Sequence, residues 1–298
     1  MTAMDRPGLG IGLRVLSGVL MASMLVCVKA VSADVPLGEI VFFRSAFAVI
    51  PLILFLWLRG EFPQGLATKR PMGHLLRASF GALALFASFA AIARLNLAEA
   101  ILIAQLSPIL MAIAAVALLG ERLTVWRVGG LALGFAGVVV MVWPELGADG
   151  ASGMRFAGLL LGLLSAALTA LALIMVRSLN RTESPGAIAL YFVLASMLGA
   201  LATLPWGWVM PSSGTLLLLV FAGLFGGFAH IAMTLAFRYA EATRLAPFEY
   251  IALLWPILAD LLIFRLSLST SFLLALPLIM LGAFTAAAEK TRSPTRPA

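Results

Sequence analysis

Few side chains in this sequence could do chemistry, and most of those that could interrupt long apolar stretches. Glu249 and Asp260 are 11 residues apart in one such stretch. At 100° per residue that spacing closes to about 20° past three turns of helix, so both carboxyls share one face, with Leu253 and Pro256 between them. An ionisable group at a bilayer centre costs roughly 2.5–3.5 kcal/mol on insertion scales, so such a stripe points into a cavity rather than at lipid. Glu249 and Asp260 are therefore candidates for ion or proton coupling, and Glu249 for substrate binding. The bland alternative for Glu249 is a capped carboxylate near the end of its stretch. His230 could change charge near neutral pH or hold a carboxylate, or it could simply satisfy a neighbouring carbonyl. Arg44 could seat a substrate carboxylate, snorkel outward, or pair with Glu39. Tyr250 and Trp255 could stack on a planar substrate, although core packing is the commoner fate of a buried aromatic.

The elements that must position these groups are read from composition. Of 298 residues, 62% are hydrophobic and 11% charged, and the mean hydropathy is +1.09. A soluble domain is about 45–50% apolar and about 25% charged, and a globule of this size cannot hide the excess. Apolar runs of helical crossing length, roughly 20 residues each, fall near 11–31, 38–58, 73–93, 99–119, 125–142, 156–176, 187–204, 214–237, 245–265 and 269–288. The expected fold is an all-α integral membrane protein of ten transmembrane helices. No barrel-like alternation is visible, and lipid cannot satisfy an open backbone. The first run is expected to be an uncleaved span rather than a signal peptide, because Lys29 interrupts its end and it has a counterpart later in the chain. Trp57, Trp126, Trp143, Trp206 and Trp208 sit at span ends, as interfacial belts require.

With both termini in the cytoplasm, 15 of the 20 Lys and Arg fall in inner segments. Only Lys29, Arg94, Arg155 and Arg265 fall outside, and Arg44 lies within a span. The net charge of +7 is then a positive-inside signal rather than a nucleic-acid footprint. A shift of 144 positions aligns Gly18 with Gly162, Arg94 with Arg238, Ala98 with Ala242, and Gln105 with Glu249. The same shift places Phe86 opposite His230. Five spans per half is odd, so the halves, 1–150 and 151–298, should enter the membrane in opposite directions. Such inverted repeats bind substrate near the midplane between the halves. Phe86, Gln105, His230, Glu249, Tyr250 and Trp255 are accordingly the candidate substrate-binding set. Pro108 and Pro256 are candidate hinges, since each removes a backbone hydrogen bond inside a span. Gly158 and Gly162 give a small-residue face that suits intrachain packing first and a weak homodimer second.

Several motifs resemble the ten-span EamA-type members of the drug/metabolite transporter superfamily. They are Phe42-Phe43-Arg44, Ala93-Arg94-Leu95-Asn96-Leu97-Ala98-Glu99-Ala100, Leu106-Ser107-Pro108, Leu119-Gly120-Glu121-Arg122-Leu123-Thr124, Phe237-Arg238-Tyr239-Ala240-Glu241-Ala242 and Ala246-Pro247-Phe248-Glu249-Tyr250. The Gly-Glu expected after span nine is replaced by Phe264-Arg265, so that turn should differ. The resemblance implies secondary transport of amino acids or related metabolites, often export, in the cytoplasmic membrane. It implies no cofactor, a small-molecule substrate, and a monomer or weak homodimer. A similar subgroup is the YddG-like aromatic amino-acid exporters, with no substrate-defining motif matched.

Uptake or exchange of another metabolite or drug is the alternative within the class. An intramembrane enzyme would need a nucleophile with its base, or a metal cluster. Two histidines, His74 and His230, and one cysteine, Cys27, make a thin stock of ligands. No lysine ends a Walker A loop, which argues against an ATP-driven pump. No filter-like segment suggests a channel, and a receptor would have only short loops with which to bind an effector.

Overall fold

The computed structural model describes residues 6–119, 125–145, 151–180, 182–239, 245, 248 and 253–288. Among these residues the regular structure is helical. The helices are α1 (Pro7–Val31), α2 (Leu37–Leu58), α3 (Pro71–Ile92), α4 (Leu97–Ala104), α5 (Ser107–Leu119), α6 (Val125–Val142), α7 (Ala151–Leu179), α8 (Pro185–Leu201), α9 (Ser213–Tyr239), α10 (Leu254–Leu262) and α11 (Thr270–Ala288). Proline at the first position starts α1, α3 and α8, where a missing N–H costs nothing. Ser184 caps α8 by accepting the Ala187 N–H at 3.1 Å.

Five helical stretches, within α1, α2, α3, α7 and α9, are long and apolar enough to cross a bilayer, and four shorter apolar stretches accompany them. Only 39–44% of the residues in the five long windows are buried, so most of each apolar helix faces outward. Ile50, Leu54, Leu83, Leu164, Leu198 and Phe284 are among the exposed side chains. Lipid is the solvent that such a surface requires.

The span expected over 99–119 is two helices. Pro108 cannot donate to the Ala104 carbonyl, and the Ser107 hydroxyl donates to it instead at 2.7 Å. The chain turns at Gln105 and Leu106, and α5 starts afresh at Ser107. In the second half, Pro256 lies in the first turn of α10, again at a helix start.

Helix α1 packs along α9, α3 along α7, and α6 along α11, while α2 lies against α8 and α9 and α3 also touches α8. Glycines make the α2–α9 contact close: a Cβ at Gly227 would stand 2.3 Å from Pro51 Cγ and 3.1 Å from the Ala48 carbonyl. The main core draws on both halves and includes Val28, Ile40, Val41, Ile92, Leu102 and Phe272. Gly158 and Gly162 face Arg94, Leu95 and Ile103, so the small-residue face of α7 is spent within the chain.

Candidate functional site

Two polar assemblies and one unpaired basic region lie in the described bundle. The first assembly is at the end where α1 passes into α2. Asn96 precedes α4, and the Glu99 carboxylate turns back to accept its N–H at 3.4 Å. The next two N–H groups, of Leu97 and Ala98, donate to Asp260 Oδ1 at 3.1 Å and Oδ2 at 2.7 Å. A carboxylate from α10 thus caps the positive end of α4. Glu99 also accepts from Arg155 Nη2 at 2.6 Å and from Ser269 Oγ at 2.9 Å. Ser269 caps α11 through the Phe272 N–H. Lys29 donates to the carbonyls of Ile92 and Leu95 and is in electrostatic range of Asp260 and Glu99. Asp260 is 0% and Glu99 1% exposed. The network ties α1, α3, α4, α7, α10 and α11 together.

The second assembly is at the opposite end, between the α2–α3 and α7–α8 connections. His74 Nε2 lies 3.4 Å from Glu183 Oε2, and its ring packs 4.5 Å from that of Tyr191, centroid to centroid. Tyr191 donates its hydroxyl to the Leu66 carbonyl at 2.8 Å, and Arg70 reaches the Ser178 carbonyl and hydroxyl. Burial opposes ionisation of Glu183, yet hydrogen bonds from His74, Thr68 and the Lys69 N–H hold its carboxyl below the ordinary value.

Between these ends the basic groups have no such company. Arg44 is 2% exposed. Its Nε points at Met24 Sδ, 3.5 Å away, and its Nη1 is buried without a hydrogen-bond partner. Glu39 accepts the Val209 N–H at 3.0 Å, so the Arg44–Glu39 pair is not formed. The Arg44 guanidinium rests on Gly226, where a Cβ would stand 3.2 Å from Nη2. His230, one turn along α9, lines a cavity of about 20 Å³ with Leu52, Phe55, Pro185, Gly186, Ala189, Ile231 and Thr234. That is space for a single water. Arg77 lies over the Phe192 ring at 4.5 Å, with Nε and Nη1 buried and unpartnered.

The sequence-derived candidates are thus scattered. Arg44 and His230 are brought together. Asp260 is removed from them into the capping network. Phe86 packs against the main core. Gln105 ends α4, its N–H directed to the Ile101 and Leu102 carbonyls. Trp255 has a buried indole N–H with no partner. Glu249 and Tyr250 lie outside the described residues, as do Glu121 and Arg122. Arg94 donates to the Ala90 carbonyl at 2.7 Å, at the end of α3. Lys29 reaches inward to two carbonyls. Arg265 adopts φ 53°, a left-handed conformation that glycine would take without strain, so the departure at Phe264-Arg265 does fall on an unusual turn. Arg77 was missed because it was counted as an inner-segment charge, although it falls inside the 73–93 run and merited the treatment given to Arg44.

Comparisons with known proteins agree on the class. Residues 8–143 match the EamA-like transporter family. The chain is 32% identical over 253 residues to the pseudopaline exporter CntI of Pseudomonas aeruginosa, covering 83% of this chain and 84% of that one. It is 31% identical over 231 residues to a riboflavin transporter of Rhizobium johnstonii, covering 77% and 74%. It is 30% identical over 231 residues to an S-adenosylmethionine uptake transporter of Rickettsia prowazekii, covering 76% and 74%. A crystal structure superposes with a TM-score of 0.66 over 95% of this chain and 99% of that chain at 23% identity, a likeness of fold. The chain belongs to the EamA-like transporter family of the drug/metabolite transporter superfamily. It is a multi-pass integral protein of the inner membrane.

Proposed function

We propose that the chain is a secondary carrier that exports amino acids or related small metabolites by alternating access. Its two halves, 1–150 and 151–298, would be inverted five-span repeats with both termini in the cytoplasm. The packing supports this reading. If spans are numbered through each half, the α1–α9 contact joins the first span of one half to the third of the other, and the α3–α7 contact does the same in reverse. The α2–α9 and α3–α8 contacts exchange likewise, and α6–α11 maps onto itself. On the positive-inside expectation the Glu99–Asp260 network seals the periplasmic end.

The observation that carries the reading is Arg44, buried where α1, α2 and α9 meet with donors unspent. A structural charge in lipid finds partners; a charge kept bare inside a carrier is matched by its cargo. A substrate carboxylate on Arg44 with His230 one turn away along α9 is the arrangement we favour, and Phe86, Gln105, Glu249, Tyr250 and Trp255 are the substrate-binding candidates on the other spans. Proton coupling, for which the sequence offered Glu249, Asp260 and His230, is assigned to Glu249 or His230 because Asp260 is spent on the α4 N-terminus, and hinge motion is assigned to Pro108 and Pro256.

Relatives include an exporter and an uptake carrier, so uptake is the second reading. Counterflow in proteoliposomes, screened with labelled amino acids, nucleosides and organic acids, should give saturable and competable accumulation. Release through oriented vesicles then sets the direction. Linear, uncompeted fluxes for every solute would remove the carrier reading.

A further inference from the structure

Arg44, Ala48 and Leu52 recur every fourth residue on α2 and so share one face. Ala48 and Leu52 cluster with Phe192 of α8, and Arg77 of α3 lies over that same Phe192 ring. Leu52 also lines the His230 cavity. Arg44 and Arg77 therefore flank one interior region. Ala48 and Leu52 stand about 6 and 12 Å from Arg44 along α2, and the Phe192 ring that carries Arg77 clusters with both. Three guanidinium N–H groups there, Arg44 Nη1 and Arg77 Nε and Nη1, are buried and unpartnered. Among the described residues no carboxylate pairs with either side chain: Glu39, Glu99, Asp260 and Glu183 are all engaged elsewhere.

We propose that Arg44 and Arg77 form a two-pole seat for an organic acid carrying two separated carboxylates. The inference rests on the carrier reading and narrows its cargo from amino acids generally toward doubly acidic ones. The guanidinium fork accepts a carboxylate through two parallel N–H bonds, which supplies the partner each arginine lacks. Met24, Gly226 and Phe192 shape the seat around these forks: the thioether and the glycine leave room at Arg44, and the ring holds the Arg77 plane. His230, whose cavity Leu52 also lines, contributes a hydrogen bond beside the seat. A water-sized cavity adjoins the seat at Leu52, and cargo enters when α2 parts from α8 and α9.

The test uses the full chain, purified in detergent, with succinate, adipate, suberate, acetate, inorganic phosphate and chloride as probes and thermal unfolding as readout. The longer dicarboxylates should raise the unfolding midpoint more than succinate, and acetate least. R44Q and R77Q should each weaken the dicarboxylate effect by about tenfold to a hundredfold in apparent affinity, with R44K and R77K between. Should a glutamine variant fold poorly, the chain-length series on the unaltered protein still decides. No dicarboxylate effect, an effect that ignores chain length, or one equalled by phosphate or chloride would overturn the seat. Binding without counterflow would instead strike the carrier reading and leave the seat standing. Dicarboxylate counterflow unaltered in both glutamine variants would strike the seat alone.

Discussion

The α1–α2 end of the bundle and its interior both hold buried charged groups and treat them oppositely. At that end Asp260 receives two N–H groups, Glu99 three donors, and Lys29 two carbonyls. In the interior Arg44 and Arg77 keep buried donors unmatched. Desolvating an ion costs several kcal/mol, and only good geometry recovers that cost. The end network recovers it within the chain and so holds helices in place. The interior arginines do not, which makes them the part of the molecule where an anion gains most by binding. On the reading proposed above, satisfied charge is scaffold and unsatisfied charge is the seat for cargo.

That contrast can be broken by mutation. Asp260→Ala should have the largest effect on folding, because it strips the acceptors from two N–H groups at the start of α4. A loss of about 3–5 kcal/mol is expected for such a buried partner, read as a lower unfolding midpoint in detergent. Glu99→Ala should cost less, about 1–3 kcal/mol, since Arg155 is 27% exposed and can turn to water. Ser107→Ala should cost about 1 kcal/mol by orphaning the Ala104 carbonyl at the α4–α5 break, with the same readout. Glu183→Gln at the opposite end should be smallest and should depend on pH. Its folded carboxyl titrates below the ordinary value, so its contribution is whole above the unfolded value of about 4.3 and is lost as pH falls through the lower folded one. The midpoint difference between Glu183→Gln and the parent should therefore be largest near neutrality and vanish in acid.

Much of the helical frame was legible in the sequence. Run length and apolar content located the five long helical stretches, because lipid leaves the backbone no other choice. The break in the fourth span was half legible: Pro108 signalled a lost hydrogen bond, while the Ser107 hydroxyl that lets the chain start a new helix is a local geometric accident. The site was less legible. Position within an apolar run singled out Arg44 and His230 one by one without relating them, and helix-face arithmetic on Glu249 and Asp260 could not foresee that Asp260 would meet the α4 N-terminus. Capping partners 163 residues apart leave no periodicity to read. Arg77 was hidden by its nearness to the span end, where a basic residue has an ordinary topological explanation.

The central claim is that the interior charge serves cargo while the end charge serves structure. Proteoliposome counterflow of the best substrate by Arg44→Gln against the parent protein, each first shown to keep its unfolding midpoint, tests it most directly. The account predicts that the midpoint stays the same or rises while saturable flux is lost. Unchanged flux in that variant would contradict it.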